Sequence, residues 1–188
     1  MNKLFTLASI LLFSTLSFGF AGEWEDSQKI ADIKSGALQV QDLKIDIYNY
    51  AETAEGRAAC GARECFRMDV FINDEQIATW ATSPGKPHPG TNHVGVYTPE
   101  YEGRSIHSGH VYGRDYISYK FKYSMPYVMY LRSNKLGIGI HAGVVNGTRL
   151  SHGCIRLVTE DARRLNQWVR EVFRNGGDAR VWARGTRG

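Results

Sequence analysis

The sequence predicts a mainly β domain with one substantial helix. Two segments alternate apolar and polar residues, a period that is typical of strands with one buried face. The first contains Leu43, Ile45 and Ile47, and the second contains Phe66, Met68, Val70 and Ile72. Only one later segment repeats its apolar residues at helical spacing. The length of 188 residues corresponds to one domain, and the 20 glycines and 10 tyrosines favour turns and sheet over a helical bundle.

Turn signals and short apolar runs predict the other β elements. Residues 73–75, Asn-Asp-Glu, predict a tight turn that joins the second strand to a third strand at residues 77–80. Proline and glycine in residues 83–90 predict a loop. Residues 106–119 are interpreted as a flap with two solvated histidines. Further strands are predicted at residues 125–131, 137–141 and 181–182.

The predicted helix begins near Thr159, which can cap its first turn. Glu160 and Asp161 follow, at positions where the helix dipole favours negative charge. The predicted apolar face contains Ala162, Leu165, Trp168, Val169, Val172 and Phe173. Gly176 and Gly177 are expected to end the helix.

Residues 1–21 have the features of a secretory signal peptide. Lys3 provides a basic start, residues 4–20 carry no charge, and the segment ends in small residues that suit a signal peptidase. The uncharged run is shorter than the ~20 apolar residues that span a membrane, although a retained N-terminal anchor is an alternative. We therefore expect export to the periplasm or cell envelope without stable membrane insertion after cleavage. Residues 22–42 are left unassigned, and residues 43–188 form the folded domain.

The charge of the mature chain argues against a nucleic-acid ligand. The full chain has 23 basic and 19 acidic residues, and loss of Lys3 with the signal peptide leaves a net charge of +3. The basic residues are scattered and form no stripe that would follow a phosphate backbone. We therefore expect no nucleic-acid partner, and the composition does not indicate an oligomeric state.

Export also determines how the three cysteines are interpreted, because oxidising compartments favour disulfides. Cys60 and Cys65 lie close together, and Gly61 between them helps the chain to turn, so we expect them to be linked. Two free thiols on a loop are the alternative. Cys154 is then left over, and an odd cysteine in an exported protein is typical of a reactive thiol or an intermolecular bond.

The candidate chemistry is concentrated late in the chain. His141 stands at the end of a predicted strand, and residues 151–156 have the sequence Ser-His-Gly-Cys-Ile-Arg. A cysteine attacks as its thiolate, and a nearby histidine can accept the thiol proton and later deliver it to a departing amine. Gly153 permits a tight turn whose N–H groups can point at an oxyanion. A zinc site formed by His141, His152 and Cys154 is the rival interpretation, but it lacks an obvious fourth ligand.

This stretch resembles the L,D-transpeptidase catalytic domain family (the YkuD-like fold), whose signature is a histidine, a short loop and then Ser/Thr-His-Gly-Cys. The signature corresponds here to His-Ala-Gly at residues 141–143 and to Ser-His-Gly-Cys-Ile-Arg-Leu at residues 151–157. The resemblance extends from residue 43 to residue 182 and includes a Gly- and Pro-bearing hairpin at residues 83–97. It implies a β-sandwich-like catalytic domain.

The resemblance implies roles for the residues of the motif. Cys154 would be the nucleophile and His141 its base, with the backbone carbonyl of Ala142 orienting the imidazole. The N–H groups around Gly153 and Cys154 would form an oxyanion hole. Acyl transfer by this route needs no metal and no organic cofactor.

Five further residues are expected around the nucleophile. Ser151 and His152 would shape the pocket. Arg156 would hold either the motif itself or a substrate carboxylate, since arginine suits both uses. Met125 and Tyr127 would line the substrate side of the pocket, with a place in the core as the alternative for each.

The resemblance also implies a substrate and a reaction. Members of the family cross-link peptidoglycan or trim its stem peptides, so peptidoglycan stem peptides are the expected partner. We expect a cysteine acyltransferase that releases D-Ala from tetrapeptide stems and forms 3–3 cross-links or attaches another amine. Two alternatives stay open, an L,D-carboxypeptidase that trims tetrapeptides to tripeptides and a non-catalytic peptidoglycan-binding module. The presence of both Cys154 and His141 favours an enzyme over the binding module.

Overall fold

The computed structural model describes residues 42–61, 63–86, 102–120, 122–132 and 137–183, together with residues 28, 31, 32 and 35, which are helical. The strands of this part of the chain are β1 (Asp42–Asn49), β2 (Phe66–Ile72), β3 (Glu75–Ala81), β4 (Arg104–Val111), β5 (Met129–Leu131), β6 (Gly139–Ala142), β7 (Ile155–Leu157) and β8 (Asp178–Ala183). The helices are α1 (Ala54–Cys60) and α2 (Thr159–Arg174), with a 3-10 turn at Tyr50–Glu52. No helix in these ranges is long and apolar enough to cross a membrane. The predicted signal peptide and residues 87–100 lie outside the described residues.

The eight described strands form one mixed sheet that curls towards a barrel. Their order is β3-β2-β1-β8-β4-β5-β6-β7, with β1–β8 and β6–β7 parallel and the other pairs antiparallel. Ser83 follows β3, and its backbone exchanges two hydrogen bonds of 3.1 and 2.9 Å with Arg156 of β7. The two ends of the strand order are therefore joined. The prediction of a mainly β domain with one substantial helix is confirmed.

Helix α2 packs its apolar face onto the sheet, as its residue spacing predicts. Its fully buried residues are Ala162, Leu165, Trp168, Val169 and Val172. The Trp168 ring stacks on Trp80 of β3 with 5.4 Å between the ring centroids. Fully burying one large apolar side chain contributes roughly 1.5–3 kcal/mol. The helix also contacts β6 and β7, so it supports the two strands that carry the candidate catalytic residues.

The β2–β3 hairpin forms at the predicted turn. Asn73 and Asp74 have φ values of 49° and 65°, the left-handed conformation that a two-residue type I′ turn requires. The Asn73 N–H donates to the carbonyl of Asp42 at 3.2 Å. This bond ties the turn to the start of β1.

Three predictions about element boundaries are wrong. Thr159 is the first residue of α2, whereas Val158 occupies the capping position and no side chain caps the helix. The strand predicted at residues 125–131 is limited to β5, because Tyr127 has a φ of 57°, which interrupts the extended chain. The predicted flap at residues 106–119 begins as strand β4, which pairs with β5 and β8.

Helix α1 and strand β7 are not predicted from the sequence. Helix α1 begins after Thr53, whose hydroxyl accepts a hydrogen bond from the Gly56 N–H at 2.9 Å, and it ends at Cys60. Strand β7 has only three residues and is the parallel partner of β6. Helix α1 ends at the disulfide residue Cys60, and β7 begins directly after Cys154.

Candidate active site

The parallel pair β6–β7 brings the two predicted catalytic residues to one face of the sheet. Ile140 lies opposite Ile155, and His141 lies opposite Arg156. The two isoleucines belong to the main core, and successive residues of a strand face opposite sides. His141 therefore faces away from the main core. Cys154, which precedes Ile155, likewise packs in a second cluster and not in the main core. Both side chains are buried, with exposed fractions of 3% for His141 and 7% for Cys154.

The imidazole of His141 is held by one backbone carbonyl. Its Nδ1 lies 2.7 Å from the carbonyl oxygen of Ala142, and because a carbonyl only accepts, Nδ1 carries the proton. Nε2 is then the basic nitrogen. It has no hydrogen-bond partner among the described residues, so it is not bonded to the Cys154 thiol. Catalytic hydrogen bonds often tighten only when substrate binds, and Nε2 is available to accept a proton.

The carbonyl that holds His141 is itself fixed on both sides. The Ala142 N–H donates to the carbonyl of Pro126 at 2.9 Å, and the Gly143 N–H donates to the carbonyl of Leu157 at 2.9 Å. These bonds set the peptide planes before and after Ala142. The orientation of the imidazole is therefore determined by the backbone of β6 and its neighbours.

Burial favours the neutral form of both candidate catalytic groups. Burial lowers the pKa of His141, an effect that its backbone hydrogen bond opposes and the positive charge of Arg156 reinforces. Burial raises the pKa of the Cys154 thiol, while the backbone of Gly139 and the charges of Arg156 and Lys120 act in the opposite direction. The free protein at neutral pH therefore favours a neutral thiol and a neutral imidazole.

The turn that presents Cys154 depends on Ser151 and Gly153. The buried Ser151 hydroxyl donates to the Cys154 carbonyl and accepts from the Gly153 N–H at 3.1 Å. Gly153 has a φ of 147°, a conformation that residues with side chains rarely adopt. The Gly153 N–H, one of the two groups expected to form an oxyanion hole, is therefore engaged by Ser151, and the Cys154 N–H is the other expected donor.

Residues 82–86, which follow β3, lie directly along this turn. The Lys86 N–H donates to the Ser151 carbonyl at 2.7 Å. Gly85 packs so closely that a Cβ at its position would lie 2.3 Å from the Cα of Gly153. Sequence patterns place this segment in a Gly- and Pro-bearing hairpin near the site, but they do not indicate that Gly85 supports the turn.

A second, smaller apolar cluster, which we call the tyrosine cluster, packs against Cys154. It contains the buried Met125 and Val128 and the half-buried rings of Tyr112, Tyr116 and Tyr130. Tyr112 and Tyr116 stack with 4.0 Å between their ring centroids. Burial raises the pKa of Tyr130 to about 12, so its hydroxyl keeps its proton at neutral pH. Tyr127, the other residue expected to line the pocket, packs against the main core instead.

Arg156 brings positive charge to the site. Its aliphatic part lies over Gly143, where a Cβ would be 3.1 Å from the Arg156 Cδ. Its charge acts on Cys154, on His141 and on the hydroxyl of Tyr123. No carboxylate of the described residues forms an ion pair with Arg156.

The described residues contain no group of three or more His, Cys, Asp and Glu side chains that could hold a metal ion. His152 is exposed, and it is not gathered with His141 and Cys154 into a zinc site. His107 and His110 stack on each other with 4.2 Å between their ring centroids. They lie where the β4–β5 register shifts, at the edge of the tyrosine cluster.

The predicted disulfide is present and lies beside the loop that leads to the motif. Cys60 and Cys65 are linked, with their Cα atoms 6.1 Å apart, and Cys154 is a free cysteine. Glu64, inside the disulfide loop, pairs with Arg149 at 3.0 Å. The disulfide loop therefore contacts the segment that immediately precedes the catalytic turn.

Comparison with known protein families identifies the domain. The family model described as the L,D-transpeptidase catalytic domain (YkuD) matches residues 61–182. The chain belongs to this family. The matched region contains both His141 and the motif at residues 151–156. Strand β1 lies before the matched region, although it pairs with β2 and β8 in the middle of the sheet.

Solved structures of L,D-transpeptidases were also found. One, titled L,D-transpeptidase (Yku) from Stackebrandtia nassauensis, is 17% identical, covers 88% of this chain and 68% of that chain, and has a TM-score of 0.48. Another, titled L,D-transpeptidase from Xylanimonas cellulosilytica, is 14% identical, covers 82% and 69% of the two chains, and has a TM-score of 0.42. A comparison with curated proteins found no match. Because both TM-scores lie below 0.5, the family assignment rests on the family model.

The structure brings most of the residues assigned from the L,D-transpeptidase signature to one place. Around the catalytic turn lie Cys154, His141, Ala142, Ser151, Gly153, Arg156 and Met125. Tyr127 contributes backbone contacts while its half-buried side chain packs against the main core, and His152 is exposed. The only sign of the tyrosine cluster in the sequence is the high density of tyrosines in residues 112–130.

Proposed function

We propose that the protein is an exported cysteine acyltransferase that acts on peptidoglycan tetrapeptide stems. It releases D-Ala and transfers the acyl group to an amine, which gives a 3–3 cross-link when the amine belongs to a neighbouring stem. Membership of the L,D-transpeptidase family supports this class of reaction. The observation that carries the proposal is the geometry of His141, whose Nδ1 is held by Ala142 and whose buried Nε2 is free on the face shared with Cys154.

The first half of the reaction uses His141 as base and then as acid. Nε2 of His141 accepts the proton of the Cys154 thiol as Sγ attacks the carbonyl carbon between the third stem residue and the terminal D-Ala. The new C–S bond converts the carbonyl oxygen to an oxyanion, which the N–H of Cys154 stabilises. Collapse breaks the C–N bond, and His141 returns its proton to the amine of the departing D-Ala. The product is a thioester on Cys154.

The second half of the reaction transfers the acyl group from the thioester. The acceptor amine attacks the carbonyl carbon and loses a proton to His141. The C–S bond then breaks, and His141 returns that proton to sulfur to regenerate the Cys154 thiol. Water competes with the amine, so the acceptor must be well positioned. Contact area for a second stem is offered by the tyrosine cluster and by the side chains of Tyr119 and Tyr123, which are 84% and 45% exposed.

Arg156 suits recognition of a substrate carboxylate. It is half-buried, its charge acts on Cys154, and the described residues supply it with no carboxylate partner. A guanidinium binds a carboxylate through two parallel hydrogen bonds. Stem peptides carry such carboxylates, so Arg156 would orient the donor stem against the nucleophile.

Product analysis with purified disaccharide-tetrapeptides tests the proposed function. We expect mass spectrometry to detect free D-Ala and dimers whose mass equals two substrates minus one D-Ala, and we expect exchange products when a free D-amino acid is added. Cys154→Ala should form none of these. Tripeptides and D-Ala without dimers, over a range of acceptor concentrations, would identify an L,D-carboxypeptidase instead. Stem binding by the wild-type protein without release of D-Ala would identify a binding module and overturn the proposal.

A further inference from the structure

Asn166 is a buried polar residue on the apolar face of α2, and its side chain reaches the segments beside the active site. Its exposed fraction is 3%. Its Nδ2 donates to the carbonyl of Tyr112 at 2.9 Å and to the carbonyl of Tyr127 at 3.3 Å, and its Oδ1 accepts from Arg170 Nε at 2.8 Å. Two carbonyl partners and one N–H partner determine the orientation of the amide. A buried amide is unfavourable without such partners.

The two carbonyls bound by Asn166 lie at the two ends of residues 112–127, the segment that carries most of the tyrosine cluster. The Tyr112 N–H donates to the carbonyl of Val128 at 2.8 Å, and the Tyr127 N–H donates to the carbonyl of Gly113 at 2.9 Å. The two ends of this segment are therefore hydrogen-bonded to each other. Asn166 holds both of them to α2.

Tyr127 connects the bonded ends of this segment to His141. Its φ of 57° is unusual for a residue with a side chain and persists only where neighbours hold it. The carbonyl of Tyr127 is bound by Asn166, and the preceding carbonyl, that of Pro126, accepts from the Ala142 N–H at 2.9 Å. The Ala142 carbonyl in turn holds Nδ1 of His141. A continuous series of contacts therefore links Asn166 to the imidazole.

We propose that Asn166 is a positioning residue for His141. By holding the Tyr127 turn, it keeps the Pro126 carbonyl on the Ala142 N–H, and it thereby keeps the imidazole in the Nδ1–H tautomer with Nε2 as the base. The catalytic consequence rests on the function proposed above, whereas the effect on the tautomer does not depend on any substrate. The known signature of the domain contains no part of α2, so this residue extends the site to a further element.

The first readout is the 15N NMR spectrum of the His141 ring in the full chain. Wild-type protein should show the Nδ1–H tautomer alone, and Asn166→Ala should show a mixture of both neutral tautomers. Leu165→Ala is the matched control, because Leu165 is fully buried on the same helix and has no polar side chain. Leu165→Ala removes apolar volume but none of the hydrogen bonds that link Asn166 to the imidazole, so its tautomer should remain that of the wild type.

The second readout separates kcat from KM with a tetrapeptide stem as substrate. Asn166→Ala should lower kcat by about tenfold or more, because a small displacement of a catalytic group has a large effect on rate, with a smaller change in KM. Leu165→Ala should change both constants less. If Asn166→Ala does not fold, Asn166→Asp replaces it, because a carboxylate at this position still accepts from Arg170 but cannot donate to the Tyr112 and Tyr127 carbonyls.

The outcomes separate this inference from the proposed function. An unchanged tautomer in a folded Asn166→Ala or, in its place, Asn166→Asp overturns the positioning role. Equal mixing of tautomers in Leu165→Ala also overturns it, because the effect would then follow stability alone. Tautomer mixing confined to the Asn166 variants, in a protein that releases no D-Ala from stems, supports the inference and rejects the proposed function.

Discussion

The Cys154 thiol is subject to two opposing influences, burial that raises its pKa and nearby positive charge that lowers it. Burial is the larger, so we expect the rate of alkylation by iodoacetamide to rise with pH around a midpoint above about 8.5, the ordinary value for a cysteine. Arg156→Gln removes a charge that stabilises the thiolate, so its midpoint should lie higher and its alkylation at neutral pH should be slower. Arg174→Gln, at the exposed end of α2, should match the wild type. A lower midpoint in Arg156→Gln contradicts the charge assignment.

The acid side of the pH profile reports on His141. Protonated imidazole cannot accept the thiol proton, so activity falls as pH drops through the pKa of His141. Because burial lowers that pKa, the acid limb of kcat/KM should lie below about 6.5, the ordinary value for histidine. The profile is measured by D-Ala release from a tetrapeptide stem. An acid limb above the ordinary histidine value would contradict the buried, neutral base.

At the scale of elements, the segment at residues 82–86 fixes the shape of the catalytic turn. Gly85→Ala would place a Cβ 2.3 Å from the Cα of Gly153, so one of the two chains must move. We expect D-Ala release to fall by about a hundredfold with the fold retained, since displacement of the nucleophile by about 1 Å has effects of that size. Gly113→Ala is the control, because its Cβ would meet nothing within 4 Å. Near wild-type activity in Gly85→Ala would show that the turn tolerates the shift.

The disulfide loop is a second supporting element. Removing the Cys60–Cys65 bond with a double serine variant should lower the free energy of unfolding by about 2 kcal/mol, because so short a closed loop constrains the unfolded chain only modestly. Denaturant unfolding measures the change, and peptide mapping of non-reduced wild-type protein should find Cys154 unlinked. A bridge from Cys154 to either partner would contradict both the disulfide and the nucleophile.

The elements that the sequence predicts are those whose signal is local. The alternation in β1 and β2, the turn at residues 73–75 and the apolar face of α2 each lie within one continuous segment, and each is observed. Strand β7 has three residues, too few to establish a period, and the register shift in β4 disrupts the alternation that would distinguish a strand from a flap. The interruption before β5 arises from the backbone of Tyr127, for which no side-chain pattern gives a signal.

The residues of the candidate site also fall into two groups, those with a local sequence signal and those without one. His141 and Cys154 are found from a motif whose members are near each other in sequence. Gly85 and Asn166 support the site through contacts between distant segments, so the sequence alone does not reveal them. The only trace of Asn166 is a polar residue within the apolar stripe of a helix. Its partners become apparent only when the fold places two backbone carbonyls beside it.

At the scale of the whole molecule, the proposed function requires that the protein reach the cell envelope. We expect expression in a bacterium to yield an envelope fraction whose chain begins at Gly22, because the apolar run and small residues at its end suit signal peptidase. Intact mass of the fractionated protein measures this. Replacing Lys3 and two leucines of the run with aspartate should retain the full-length chain in the cytoplasm. Processing at another site would move the boundary, and an uncleaved chain in the membrane fraction would support the N-terminal anchor.

The proposed reaction requires that Cys154 carry the acyl group of the donor stem. The most direct measurement is acid quenching of the protein with excess tetrapeptide stem, followed by intact mass and peptide mapping. We expect an adduct equal to the substrate minus D-Ala on the peptide that contains Cys154, absent in Cys154→Ala and strongly reduced in His141→Gln. Turnover by folded Cys154→Ala within about tenfold of the wild-type rate, or an adduct on any other residue, would contradict it.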